Sequence, residues 1–262
     1  MSKYKDKYES FKDTLLRKNE RKKVIHILDY GYYNMDCMEG MKQFPDGYFD
    51  LAIVDPVYGG VKQGGYMKNI DSTKKLAEVI QYNDAIWKQP KTDQEYFNEL
   101  FRVSKNQIIW GGNYFAKEIG RDSSCWIVWD KVNTGRFADC ELAWTSFDTA
   151  SRIFRFMWNG MMQGKSIEDG EIQQGNKAKN EKRIHPTQKP VTLYSWILRE
   201  YARIGWKLLD THVGSASSLI AFEDAGYQYV GFEKEKAYYG PSAERLHNHK
   251  SQMTIFDFGI ER

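Results

Sequence analysis

Cysteine is scarce in this sequence. The 262-residue chain carries three, Cys37, Cys125 and Cys140, far apart and without Cys-x-x-Cys spacing. That excludes a disulfide framework or a cysteine zinc site and fits a reducing cytoplasm. The histidines, among them His185, His212, His247 and His249, show no ligand spacing with cysteines or acids, so no metal is expected. His247-Asn-His249 reads as a solvated helix end. Long apolar runs are missing as well. Stretches such as Leu51–Val54 and Leu219–Phe222 fall far short of the ~20 residues of a membrane span, and the N-terminal stretch has no apolar core of a secretory signal. No Gly-x-Ser-x-Gly elbow occurs, which argues against a serine hydrolase.

What the chain does have is enough apolar material for a sizeable core. Hydrophobic residues are 41% and charged residues 28%, which rules out global disorder. At roughly 150 residues per domain, the length makes one large domain, or one domain with a modest insert. The net charge of +3 is unevenly spread. Residues 1–23 hold nine Lys/Arg against four Asp/Glu, and residues 151–189 hold eight against four. Two basic segments on a mildly acidic body suit a polyanionic partner, and equally a solvated helix and loop. Arg152, Phe154, Arg155, Phe156 and Trp158 interleave base and ring. That pattern suits nucleic acid, or a strand packed on one face.

Strand and helix signals alternate along the chain. Phe49–Val54 reads as a buried strand ending at Asp55, before the turn Pro56-Val57-Tyr58-Gly-Gly. The polar stretch from there to about residue 90 reads as loop with a short helix. Thr92 or Asp93 caps a helix over Glu95–Val103. Gln107–Trp110, Cys125–Trp129 and Glu141–Thr145 read as strands, and residues 159–182 as a polar loop or insert. A helix follows Pro190, a strand ends at Asp210, a helix closes at Gly226, and a strand ends at Glu233 before a last helix near Ala237–His247. Such alternation implies an α/β, doubly wound, mostly parallel sheet with its site at the carboxyl ends of the strands. Three carboxylates, Asp55, Asp210 and Glu233, are expected at three of those ends.

Three segments carry chemistry. Asp210-Thr-His-Val-Gly-Ser-Ala-Ser217 pairs a strand-terminal acid with a turn of small residues, and Glu233 at the next strand end suits a ribose diol. This loop has neither Gly-x-Gly-x-x-Gly nor Gly-Lys-Ser/Thr, which weakens a nicotinamide or flavin reading and excludes a P-loop. Asp55-Pro-Val-Tyr58 sets an acid, a rigid carbonyl and a ring back to back, which can hold an exocyclic amino group or simply end a strand. His185-Pro-Thr-Gln-Lys-Pro190 is a stiff lead-in to a helix. The Trp-rich strands look like core, with Trp110 the exception that could stack on a base.

In this order, the three segments resemble the S-adenosylmethionine-dependent amino-methylating DNA methyltransferases of the N6-adenine/N4-cytosine family, with the β-class arrangement Asp-Pro-Pro-Tyr, His-Pro-Thr-Gln-Lys-Pro, then cofactor loop. Asn34-Met-Asp36-Cys37-Met-Glu-Gly resembles that family's adenine-side cofactor segment, and Phe101-Arg-Val-Ser-Lys followed by Ile-Ile-Trp-Gly-Gly-Asn113 its next strand and pocket loop. The tract from Phe137 to Trp158 resembles phage and prophage members. The resemblance covers about residues 30–250. Two departures stand out. Val57 occupies the place of the second proline, leaving the turn freer, and the cofactor loop reads Asp210-Thr-His-Val-Gly-Ser-Ala216 instead of Asp-Pro-Phe-x-Gly-Ser-Gly.

The resemblance implies a Rossmann-like class I methyltransferase domain over residues 24–262 behind the basic segment 1–23, with a target-recognition insert at about 146–183. It implies methyl transfer to the N6 amino group of an adenine flipped out of double-stranded DNA. Asp55, Pro56, Val57 and Tyr58 would form the catalytic motif. Asp36, Cys37 and Glu233 would contact the adenosine part of S-adenosyl-L-methionine. Asp55, His185, Thr187, Gln188 and Lys189, with Asp210, Gly214, Ser215 and Ser217, would surround the rest. Arg152, Arg155 and Asn113 would contact DNA. A short recognition segment also implies a short site or help from a second copy of the chain. N4-cytosine methylation, transfer to protein glutamine or RNA amino groups, and a degenerate DNA-binding homologue remain open.

Overall fold

Alternate residues of the strand Phe49–Val54 feed two different layers of core. Leu51 and Ile53 pack with Leu193, Ile197, Leu208 and Leu219 on one face, while Ala52 and Val54 pack with Phe97, Leu100, Val230 and Phe232 on the other; Phe49, at the start of the strand, breaks the alternation and joins the second layer. A strand buried on both faces belongs to a parallel sheet covered by helices on each side. The computed structural model describes residues 27–59, 90–132, 138–158, 163–164 and 181–257, with side chains to residue 252.

The strands are β1 (Gly31–Tyr33), β2 (Phe49–Val54), β3 (Ser104–Trp110), β4 (Trp126–Asp130), β5 (Cys140–Thr145), β6 (Arg152–Arg155), β7 (Met157–Trp158), β8 (Gln163–Gly164), β9 (Lys207–Asp210) and β10 (Gln228–Phe232). Helices are α1 (Cys37–Met41), α2 (Gln94–Val103), α3 (Ala116–Ile119), α4 (Val191–Tyr201), α5 (Ser217–Asp224) and α6 (Lys236–Asp257), with a 3₁₀ turn at Gly112–Tyr114. The main sheet has the order β1-β10-β9-β2-β3-β5-β4-β6. Within it β5 alone runs against its neighbours; the other pairings are parallel. β7 and β8 form a separate antiparallel pair.

This is the expected doubly wound α/β fold. From β9 the chain proceeds to β10 on one side, and from β2 to β3 on the other. The β2/β9 junction is therefore the topological switch point, where a crevice opens beyond the carboxyl ends of the strands. Asp50 ties the opposite ends together, accepting from Lys105 Nζ at 2.7 Å and from the Lys207 amide at 2.9 Å.

Several expectations need correction. Trp110 is not a base-stacking platform: it is fully buried, edge-on to Trp129, because strand β3 points it into the helix-covered layer. His247-Asn-His249 is not a helix end. α6 continues because His249 Nε2 meets Asp224 Oδ1 at 2.5 Å and Lys250 pairs with Glu223, which fasten it along α5. Arg152–Arg155 is the edge strand of the main sheet, with 58% of Ile153 exposed. The basic segment 1–23, the stretch 60–89 and most of the polar loop (159–162 and 165–180) lie outside the described residues. Among those described, no helix is long and apolar enough to cross a membrane.

Asp93 caps α2, its carboxylate accepting from the Tyr96 amide at 3.1 Å. Asp93→Ala is expected to cost about 1 kcal/mol of stability, read as a lower urea midpoint at unchanged slope.

Candidate active site

Four strand ends bring four acids to one edge of the sheet. Asp55 follows β2, Asp210 ends β9, Glu233 follows β10, and Asp36 lies beyond β1 as the N-cap of α1. The segments are laced together across the switch point. Asn34 Nδ2 donates to the carbonyls of Glu233 and Lys234 at 2.8 and 3.1 Å, joining the ends of β1 and β10. The His185 ring lies over Gly214, where an added Cβ would come within 3.5 Å of it. Lys189 from the same Pro-bounded turn pairs with Asp55. The structure thus brings the Asp55 motif, the His185–Pro190 turn and the Asp210–Ser217 loop into contact.

Asp55 is held at both oxygens. Oδ2 takes the Lys189 ammonium, and Oδ1 accepts from the Tyr58 hydroxyl at 2.5 Å. Lys189 has only 3% of its side chain exposed and lies 5.2 Å above the Trp110 ring centre. Such a cation persists only if compensated. Glu141 of β5 supplies the second counter-charge at 3.2 Å and is itself paired with Lys131. Burial works to neutralise Lys189, but Asp55 and Glu141 outweigh it and raise its pKa. Burial likewise works against the Glu141 charge, and Lys189 with Lys131 still hold its carboxyl below the usual range. Burial and the Asp55 charge push the Tyr58 phenol well above its ordinary value, so it stays a neutral donor.

The turn after Asp55 is stiffer than Val57 alone implies. Its carbonyl accepts from the Thr92 amide at 3.0 Å and the Thr92 hydroxyl at 3.1 Å. A threonine 35 residues away thus restrains the turn from which the second proline is missing. Tyr58 lies against Gly111, a residue at φ 66° whose Cβ would fall 2.3 Å from the ring. Tyr114 stacks on Tyr58 with centroids 5.0 Å apart, Phe115 meets it edge-on, and Tyr114 is 47% exposed. Asn113 is exposed beside this aromatic wall.

The loop after β9 is held by its own acids. Asp210 accepts from the His212 amide at 2.9 Å and the Ser218 hydroxyl at 2.5 Å; its burial pushes the carboxyl up to about 7. Glu233 accepts from the Gly214 amide at 3.0 Å and the Glu235 amide at 2.7 Å, and burial raises its pKa. Asp36 accepts from the Met38 amide at 2.8 Å and pairs with Lys234 at 2.9 Å. Burial opposes its charge, but these contacts lower its pKa on balance. Burial moves the Cys37 thiol up to about 12 and the imidazole of His185 down to about 4. His185 Nδ1 lies 3.2 Å from the exposed Thr187 hydroxyl. Gln188 is structural: its side chain bonds Glu181, Lys182 and Ile184, and its carbonyl accepts from Trp158 Nε1 at 2.8 Å.

Sequence reasoning missed the groups that knit these pieces together. Glu181 accepts from Arg245, from Gln188 Nε2 at 3.0 Å, from Ser217 Oγ at 3.3 Å and from the Val191 amide at 3.1 Å. Arg245 in turn donates to the Ser215 carbonyl at 2.7 Å, while the Ser215 and Ser217 hydroxyls lie 3.0 Å apart. No local signal marks Glu141, Glu181 or Arg245. Arg152 and Arg155 stand apart: β6 is four strands from β2, roughly 19 Å across the sheet, and Arg155 pairs with Asp130 at 3.3 Å. Replacing the central cation, Lys189→Met, leaves Asp55 without its ammonium partner and Glu141 with Lys131 alone. A loss of about 3–5 kcal/mol in urea unfolding is expected.

Against this geometry stand the likenesses to known proteins. Residues 109–244 match the N6/N4 family described as DNA methylase. YubD of Escherichia coli (strain K12), described as a methylase, is 24% identical over 221 residues, covering 80% of this chain and 87% of its own. The Type II methyltransferase M.HinfI of Haemophilus influenzae is 22% identical over 239 residues, 80% of this chain and 66% of its own. In fold, the chain is similar to TTHA0409 of Thermus thermophilus, described as a DNA modification methylase. The TM-score is 0.50 at 16% identity, over 84% of this chain and 95% of that one. With the family match spanning just over half of its 262 residues, this chain belongs to the N6/N4 DNA methylases.

Proposed function

We propose that the chain moves a methyl group from S-adenosyl-L-methionine to the N6 amino group of an adenine flipped out of duplex DNA. The observation that carries this reading is Asp55, fixed at the switch point by Lys189 and Tyr58 beside an aromatic wall open at Tyr114. An amino nitrogen conjugated to a ring is a poor nucleophile. Asp55 and the Pro56 carbonyl each accept one of its hydrogens, which leaves its lone pair free to point at the donor. Each carboxylate oxygen has two lone pairs, so the Tyr58 bond does not use up Asp55. The exposed Tyr114 ring is the one that yields to the incoming base. Alignment and fixed dipoles supply the rate.

The residues at the crevice fit the cofactor. Its described charged groups are Asp36, Asp55, Asp210 and Glu233 and cations already paired with acids, beside the neutral imidazoles of His185 and His212. Such a crevice suits a sulfonium cation and disfavours a phosphate-bearing nucleotide. Asp36 and Glu233 hold the adenosine part, with Cys37 beside them; Gly214, Ser215, Ser217 and the exposed Thr187 hold the methionine part, with Gln188 and Lys189 fixing the turn that carries Thr187. S-adenosyl-L-methionine supplies an activated methyl group. An aspartate rather than a serine at position 55 supports adenine over cytosine. The likeness to a Type II methyltransferase supports a role in DNA modification. Arg152 and Arg155 on the exposed edge of β6, Asn113, the basic segment 1–23 and the recognition segment at about 146–183 form the DNA side.

Nucleoside analysis of DNA incubated with protein and labelled cofactor should show N6-methyladenine. N4-methylcytosine would move the substrate to cytosine, and label in RNA or protein alone would overturn the DNA reading. Asp55→Ala is expected to abolish transfer with cofactor affinity kept within a few-fold. Glu233→Ala removes a charge-assisted hydrogen bond worth ~1.5–3 kcal/mol, so affinity measured by calorimetry should fall roughly 10- to 150-fold. Replacing both Arg152 and Arg155 by alanine should reduce the slope of log DNA affinity against log salt by up to ~1.8, at about 0.9 per lost phosphate contact.

A further inference from the structure

Two polar residues follow Asp210 where the related pattern has proline and phenylalanine, and they are wired to a third. Thr211 Oγ1 lies 2.6 Å from the Tyr96 hydroxyl and 2.9 Å from His212 Nδ1. Tyr96 and Thr211 are each 3% exposed, and the Tyr96 ring meets His212 edge-on at 5.3 Å. The chain of hydrogen bonds can run in two directions, and they are not equivalent. If His212 Nδ1–H donates to Thr211, the Thr211 proton goes to the tyrosine oxygen. The buried Tyr96 proton then has no acceptor among the described residues, a costly arrangement. If Tyr96 donates to Thr211 and Thr211 to Nδ1, both buried hydroxyl hydrogens are used, and the one left over is the Nε2–H of the partly exposed His212. The second direction fixes the neutral imidazole with its proton on Nε2.

Burial keeps that ring neutral, with a pKa down to about 4, and the charges near enough to act on it are those of Asp55 and Asp36. Those two acids belong to the target side and the adenosine side of the crevice. Nε2–H has no acceptor among the described residues, and the His212 side chain keeps partial exposure. A crevice lined by acids is rich in acceptors and poor in donors, whereas the cofactor carries acceptors of its own, the ribose oxygens and the methionine carboxylate.

We propose that His212 is a cofactor-contacting donor whose Nε2–H binds an oxygen of S-adenosyl-L-methionine, and that Thr211 and Tyr96 are positioning residues that set its tautomer. This rests on the cofactor reading above. The first test needs no variant: nitrogen-15 spectra of the full-length protein should show His212 Nε2 protonated and Nδ1 bare, and the opposite tautomer would overturn the proposal. In calorimetry, His212→Phe keeps a ring against Tyr96 and should weaken S-adenosyl-L-methionine roughly tenfold in a protein that still unfolds cooperatively in urea, at a lower midpoint because the Thr211 hydroxyl loses its acceptor, while Thr211→Val should mix the two tautomers and weaken binding less. Methylthioadenosine, which lacks the methionine carboxylate, separates the two oxygens. A loss for both ligands places the contact at the ribose, and a loss for the whole cofactor alone places it at the carboxylate. Equal affinity of His212→Phe and wild type would sink this inference and leave the cofactor site standing. A wild-type protein that binds no S-adenosyl-L-methionine would take down both.

Discussion

A lysine enclosed between two carboxylates is the interaction on which the rest of the site depends. Lys189 is buried to 3% of its side chain and touches the strand end that carries Asp55 and the strand that carries Glu141. Burying one charge without partners costs several kcal/mol, so a lysine at this place requires acids beside it. That requirement brings the Pro-bounded turn His185–Pro190 against β2, and the same turn places the His185 ring over Gly214. Without Asp55, the Lys189 turn would still be held by Glu141 and the Trp110 ring, but no longer tied directly to the end of β2.

The acids of the crevice divide into two kinds. Asp55 is opposed by a cation and ready to accept from a substrate, whereas Asp210 spends both oxygens on its own loop and is pushed towards neutral pH by burial. Glu233 lies between these extremes: it accepts two backbone amides, one of them from Gly214 of the neighbouring loop. The shape of the loop after β9 thus rests on carboxylates from two strand ends. Ala216, at φ 63° and fully buried, shows the tolerance of this loop: it keeps the left-handed turn a glycine would adopt freely, with a small side chain.

Most of the fold was legible because its signals are local. The strand over Phe49–Val54, the Asp93-capped helix, and the strand–helix–strand run ending at Glu233 all follow from periodicity, caps and glycines next to them in the sequence. The meeting of Asp55 with the Lys189 turn was legible only through a resemblance of motif order. What escaped was long-range. Thr92 restrains a turn 35 residues back, Arg245 reaches Glu181 across 64 residues, and Glu141 looks like any polar residue in an antiparallel strand. Trp110 misled because a strand-end tryptophan beside a Gly-Gly turn looks the same whether it faces a ligand or a lysine. β6 showed the opposite ambiguity, since base–ring interleaving and one-sided strand packing produce the same string of residues.

The single reversed strand has a further consequence. Because β5 runs against β3 and β4, it brings its first residues, not its last, to the edge of the sheet where the ligands gather. Cys140 pairs with Asp130 and Glu141 with Trp129, so the chain leaves β4 and enters β5 at that edge, where Lys131 is fastened to Glu141 and through Glu141 to Lys189. The two strands are therefore mechanically in series with the Asp55 carboxylate. A change at that edge acts on the Lys189 ion pair before it acts on the core. The reversed strand thus transmits strain at its own start to the buried charge pair, while the parallel strands beside it keep their register.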